Sequence, residues 1–214
     1  MSKINQKKER GVRGAAAPRW VPGAASRAAG ARGGTLAAAA AVRSEAGADP
    51  QTENTALLFA LSAHLVLSSG YADAPNSPEI RLRRRQDLAQ HVINSASIAA
   101  IAGVQLAEII STGKEAFDAR YRSGFSFSDL TANRVGIKLA QLAVESEASA
   151  LAFQARVQKI EVDADLIPLV SGSRDGLTQR EFEANYDDRS SVEYRRRVDS
   201  IDSEVTALPL FATP

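Results

Sequence analysis

The chain has 214 residues, 26 basic against 25 acidic, and is 44% apolar but only 6% aromatic, with no cysteine. It therefore carries no disulfide framework, thiolate metal site or cysteine nucleophile, and no apolar run reaches the roughly 18–20 residues of a membrane-spanning helix. Alanine supplies much of the apolar count, which favours closely packed helices over strands built from β-branched and aromatic residues.

The expected fold is all-α. It is an elongated helical hairpin or bundle with two long alanine-rich helices, short C-terminal helices and a disordered N-terminal arm.

Charge is divided along the chain. Residues 1–43 hold nine basic residues against Glu9 alone, and the remainder holds 17 basic and 24 acidic residues. Residues 1–48 are rich in Ala, Gly and Arg and show no hydrophobic periodicity, so they cannot offset their ordering entropy and are expected to be disordered. Lys7, Lys8, Arg10 and Arg13 in this arm are candidate phosphate contacts. The arm also has the basic, acid-poor composition of a transit peptide. Gly11, Gly14, Pro18 and Pro22 would break the amphipathic helix such a peptide needs, so the expected location is cytoplasmic or within a macromolecular particle.

The helical bundle is placed at residues 49–167. Asp49 as N-cap, Pro50 in the first turn and Glu53 near the positive end of the helix dipole open a helix running to about Ser69 and Gly70. Ser77-Pro78-Glu79 repeats that start, for a helix of about 35 residues reaching Gly113. Its first turns carry Arg81, Arg83, Arg84 and Arg85. Ala99, Gly103 and Ala107, four apart, form a smooth stripe for a close helix neighbour. Thr112 and Glu115 match a capping box, predicting a short helix over Lys114–Arg122 that ends at Gly124.

Ser126 or Ser128 then caps the longest helix, Asp129–Asp163. One apolar stripe on it runs Val135, Leu139, Leu142, Ser146, Ala150, Phe153, Val157 and Ile160. Another runs Leu130, Ile137, Val144 and Leu151. A face that wide needs several neighbours, which marks Val144, Leu151 and Phe153 as contacts between helices of different copies or segments. In residues 168–214, Pro168 and the Ser171–Gly176 run break the chain. Short charged helices follow over Thr178–Asn185 and Ser191–Glu204, and Leu208-Pro-Leu-Phe211 is an apolar tag.

Chemistry-bearing motifs are sparse. The arginines at 81–85 read as a solvated helix face paired with Glu181, Glu183, Asp187 and Asp188. The competing reading adds them to the arm as phosphate contacts. Asp175-Gly176 imitates an EF-hand turn, but the position of the bidentate acid falls on Phe182. His64 and His91 lie on apolar helices, where a histidine is ordinarily a hydrogen-bonded core or boundary residue. No catalytic, cofactor-binding or metal-ligating residue is assigned, and no cofactor.

The alanine-rich composition of Asp87–Gln158 is similar to that of the phasins, helical coat proteins of polyester storage granules. That resemblance implies an amphipathic coat on a lipid or polymer surface. The leading expectation is a non-enzymatic structural subunit, a homo-oligomer that joins other assembly proteins in a larger particle such as a phage, ring or shell. The alternatives are a nucleic-acid-associated helical protein and the amphipathic coat.

Overall fold

Asp49 opens the first helix as its position requires. Its carboxylate accepts hydrogen bonds from the Gln51 N–H at 3.1 Å and the Thr52 hydroxyl at 2.6 Å. The computed structural model describes residues 49–70, 80–121, 123–169 and 175–212. Lys7, Lys8, Arg10, Arg13 and the rest of the arm lie outside these residues, as do the helix start at Ser77-Pro78-Glu79 and most of the Ser171–Gly176 run.

Among the described residues the fold is all-α, as expected. It comprises α1 (Pro50–Gly70), α2 (Gln86–Ala102), α3 (Val104–Tyr121), α4 (Phe127–Val144), α5 (Glu147–Val157), α6 (Gln179–Tyr186) and α7 (Val192–Thr206). Two isolated bridges, Leu82 with Arg85 and Phe125 with Leu177, are the only extended pairings among these residues.

Both of the long helices expected from sequence are interrupted. The first breaks at Gly103, whose φ of 90° and ψ of 156° leave helical space. A Cβ there would meet nothing within 4 Å. Gly103 is therefore a conformational joint between α2 and α3, and no helix among the described residues approaches it closely. The second breaks at Glu145–Ser146. Ser146 is extended and forms a reciprocal capping box with Ser149 that starts α5. The apolar stripes continue across both breaks, so periodicity alone passes over them.

The short helix expected from Thr112 is instead the C-terminal half of α3. It ends before Gly124, whose φ of 89° is a glycine conformation and whose N–H bonds to the Asp118 carbonyl. The arginine cluster precedes α2 rather than riding on it. Leu82 and Arg85 exchange backbone hydrogen bonds, and Arg83 and Arg84 between them take φ of 51° and 66°. Two positive φ values are the signature of a type I′ turn.

The core is built where α2 crosses α4. Ala89, Val92 and Ala96 of α2 and Ala132, Gly136 and Ala140 of α4 are buried there. A Cβ at Gly136 would fall inside contact distance of the Val92 carbonyl oxygen and 3.0 Å from the Ala96 nitrogen. The tight small-residue contact thus exists, but at Gly136. Helix α1 is tied to the far end of α4, since Asn54 donates to the Ala143 carbonyl and Gln51 to that of Val144.

The C-terminal third shares the same core. Phe125 and Phe127 pack with Phe182, Tyr186 and Tyr194 in an aromatic cluster whose centroids lie 4.7–6.3 Å apart. The apolar tag folds back onto this chain and is not a free extension. Leu208 and Leu210 are buried, and the Leu210 carbonyl accepts from Arg156.

Two glycine substitutions separate contact from propensity. Gly136→Ala should destabilise by about 1–3 kcal/mol, because its methyl group meets backbone that has to shift. Gly113→Ala, on exposed α3 with open space around it, should stabilise by about 0.5–1 kcal/mol. Thermal melts of the two variants should move in opposite directions.

Candidate functional site

Three helices each bring a pair of polar residues four apart, hence on one face, to a common seam. These pairs are His91 and Ser95 on α2, Ser111 and Glu115 on α3, and Asp129 and Asn133 on α4. They stack in two layers. In one, Ser95 Oγ donates to Asn133 Oδ1 at 2.7 Å and lies 3.4 Å from Ser111 Oγ. In the other, His91 Nε2 is 3.2 Å from Asp129 Oδ2, and one ligand-type atom from each of His91, Glu115 and Asp129 lies within 4.8 Å of the others. His91 Nδ1 links the layers by donating to Asn133 Oδ1 at 3.1 Å.

A second polar group closes the end of the seam. Asp175 Oδ1 accepts from Ser126 Oγ at 3.0 Å and the Ser128 N–H at 3.1 Å, capping α4 from a distant segment. Ser126 itself is the N-cap and accepts from the Asp129 N–H. Arg85 bridges three carboxylates, with Asp87 at 2.5 Å, Asp175 at 3.1 Å and Asp129 Oδ1 at 3.5 Å.

Electrostatics follow from this packing. Burial pushes the Glu115 carboxyl up and the charge on Asp129 adds to it, against the opposing pull of Lys114 and His91. Burial pulls the His91 imidazolium down, but Asp129 more than compensates and its pKa is raised. The Arg85 hydrogen bond holds Asp87 below the usual carboxylate range. Partial burial raises Asp175, yet hydrogen bonds from Ser128, Ser126 and Arg85 outweigh it, and the net shift is downward.

The other residues marked from sequence disperse. Ala99, Ala107 and Phe153 are buried within the chain, Val144 is half-buried, and Gly103 and Leu151 are exposed. Among the described residues, Arg85 pairs with Asp87, Asp129 and Asp175 and not with the acids expected from sequence. Besides the Arg85 bridges, the Arg83 guanidinium donates to the Ile167 carbonyl and its N–H to Asp163. Arg81 reaches the Arg84 carbonyl.

Sequence reasoning places His91 in the core, Glu115 in a capping box and Asp129 in a first turn. Nothing in their spacing announces the trio, because it forms only when three helices pack. No protein-family pattern, curated protein or solved structure matches this chain.

Asp175→Asn keeps the shape of the cap and removes its charge, and should cost about 1 kcal/mol near pH 7. A depressed native pKa contributes stability above the unfolded value, near 3.8, and loses it as pH falls through the native one. The gap in melting temperature between wild type and variant should therefore be flat above about pH 5 and close below about pH 4. A gap independent of pH would show that the charge contributes nothing to the cap.

Proposed function

We propose that this chain is a non-enzymatic structural subunit that self-associates, through the outward face of α3, into a larger particle. The observation that carries the reading is an apolar stripe left in solvent. Leu106, Ile109, Ile110, Phe117 and Tyr121 follow helical spacing along α3, with Ile109 68% exposed and Tyr121 64% exposed. Phe59 and Ile101 line a separate open groove between α1 and α2. Contiguous exposed apolar surface of this kind marks an interaction site, and leaving it wet costs about 25 cal/mol for each Å².

Two features favour assembly over chemistry. The polar seam is largely buried, with Glu115 only 1% exposed and the His91 and Asp129 side chains 13% and 16% exposed, which leaves little room for an organic substrate. A small, partly open cavity of about 20 Å³ has a purely apolar lining that includes Leu58, Ile93 and Phe153. The phosphate-binding alternative loses Arg83 and Arg85 to partners within the chain.

Sedimentation of the full chain tests the reading. Wild type should be oligomeric at about 10 μM and remain so at about 1 M salt, since apolar association survives screening that dissolves phosphate contacts. Ile109→Glu with Phe117→Glu should give a monomer whose melting stays within about 0.5 kcal/mol per substitution, because both side chains face solvent in the single chain. A monomeric wild type, or an assembly that survives both changes, overturns the proposal. Loss of the assembly in salt would favour nucleic acid, and vesicle binding through the same stripe would favour the coat.

A further inference from the structure

We propose that His91, Glu115 and Asp129 form a binding site for one divalent transition-metal ion of the zinc class, stapling α2, α3 and α4 together. One imidazole and two carboxylates form a borderline donor set that suits zinc and its neighbours and is poorly matched to the all-oxygen preference of calcium or magnesium. The trio carries two negative charges when the imidazole is neutral; Arg85 is shared with Asp87 and Asp175 and Lys114 with Asp118, so these two cations offset the trio's charge only in part.

The geometry has the layered form that metal sites use. His91 and Asp129 each have one polar atom held by the protein and another facing the other residue, and Glu115 has one carboxylate oxygen held by a backbone N–H. Asn133 accepts from His91 Nδ1, which leaves Nε2 toward Asp129. Arg85 faces Asp129 Oδ1 and leaves Oδ2. The Ser126 N–H donates to Glu115 Oε2 at 3.3 Å and leaves Oε1. Such outer partners fix the tautomer and orientation of metal ligands.

Ligands about 2.0–2.2 Å from one ion lie roughly 3.3 Å apart. The pair from His91 Nε2 to Asp129 Oδ2 stands at 3.2 Å. The Glu115 oxygen lies within 4.8 Å of the other two atoms, and coordination requires it to close that gap.

Glu115 supplies the independent sign that something binds. It is 1% exposed, yet its Oε1 has no hydrogen-bond donor. Lys114 Nζ lies 3.6 Å from that oxygen, but its own short hydrogen bond, at 2.6 Å, goes to Asp118. A protonated His91 satisfies Asp129 and still leaves Oε1 with no hydrogen-bond donor, only the Lys114 ion pair at 3.6 Å. A buried, undonated carboxylate oxygen is costly, and a metal ion at the centre of the trio removes that cost.

The test uses the full chain, stripped with chelator, exchanged into chelator-free buffer and titrated with Zn²⁺ and separately with Co²⁺. Wild type should take up one equivalent of Zn²⁺ and gain melting temperature with it. The Co²⁺ form should show visible absorption of a low-symmetry site. Its proton spectrum should contain one hyperfine-shifted exchangeable imidazole N–H, the Nδ1 proton kept by Asn133.

Glu115→Gln, which preserves shape, should fold and lose at least about 100-fold in Zn²⁺ affinity, a ligand loss exceeding what outer-partner changes cause. His64→Ala should bind as wild type does. Absence of uptake at about 100 μM Zn²⁺, a Co²⁺ spectrum with no shifted imidazole proton, or undiminished affinity in Glu115→Gln would each overturn the site. The Co²⁺ experiment needs no substitution, so it decides the matter even if a variant misfolds.

Discussion

The close crossing of α2 over α4 is the constraint on which the rest depends. Gly136 lets the two backbones meet at Val92 and Ala96, and only at that separation can the polar pair on α2 reach the polar pair on α4. A larger residue at Gly136 would widen the seam as well as strain the core. The core and the candidate site are thus set by one distance. The alanines flanking it are buried on both helices and carry the contact along the seam.

Helix α3 stands in two environments at once. Its inner face gives Ala107, Ser111, Glu115 and Ala119 to the core and the polar seam, while its outer face holds the apolar stripe. Gly103 makes this possible. By leaving helical conformation between α2 and α3 it frees the direction of the second helix from that of the first, so apolar spacing that runs unbroken along the sequence faces a different surface beyond it. A continuous helix would have aimed the two halves along one axis.

What could be read from the sequence follows the range of the interaction. Asp49 was legible as a cap, Ser126 as one of two candidate caps, and Thr178 and Ser191 as helix starts, because a cap bonds within three residues of itself. The all-α class was legible because composition acts over the whole chain. The breaks at Gly103 and Ser146 were hidden by apolar spacing that continues across them. The trio of His91, Glu115 and Asp129 was hidden more deeply, since its members lie on three helices and each has an adequate local explanation. The arginines at 81–85 misled for a related reason. Their positions relative to Pro78 suit a helix, but the Leu82–Arg85 turn is held by Asp163 and Ile167, which lie 80 and 84 residues from Arg83.

The cap on α4 has a consequence in time. Ser126 and the carboxylate of Asp175 are 49 residues apart, and the adjoining Phe125–Leu177 bridge spans a similar loop. Closing such a loop requires entropy to be lost before the contact is gained. During synthesis α2, α3 and α4 emerge before residues 175–177, so any packing they reach at that stage lacks that carboxylate at the start of α4. The last third of the chain then acts as a latch, completing a helix end left open at its start.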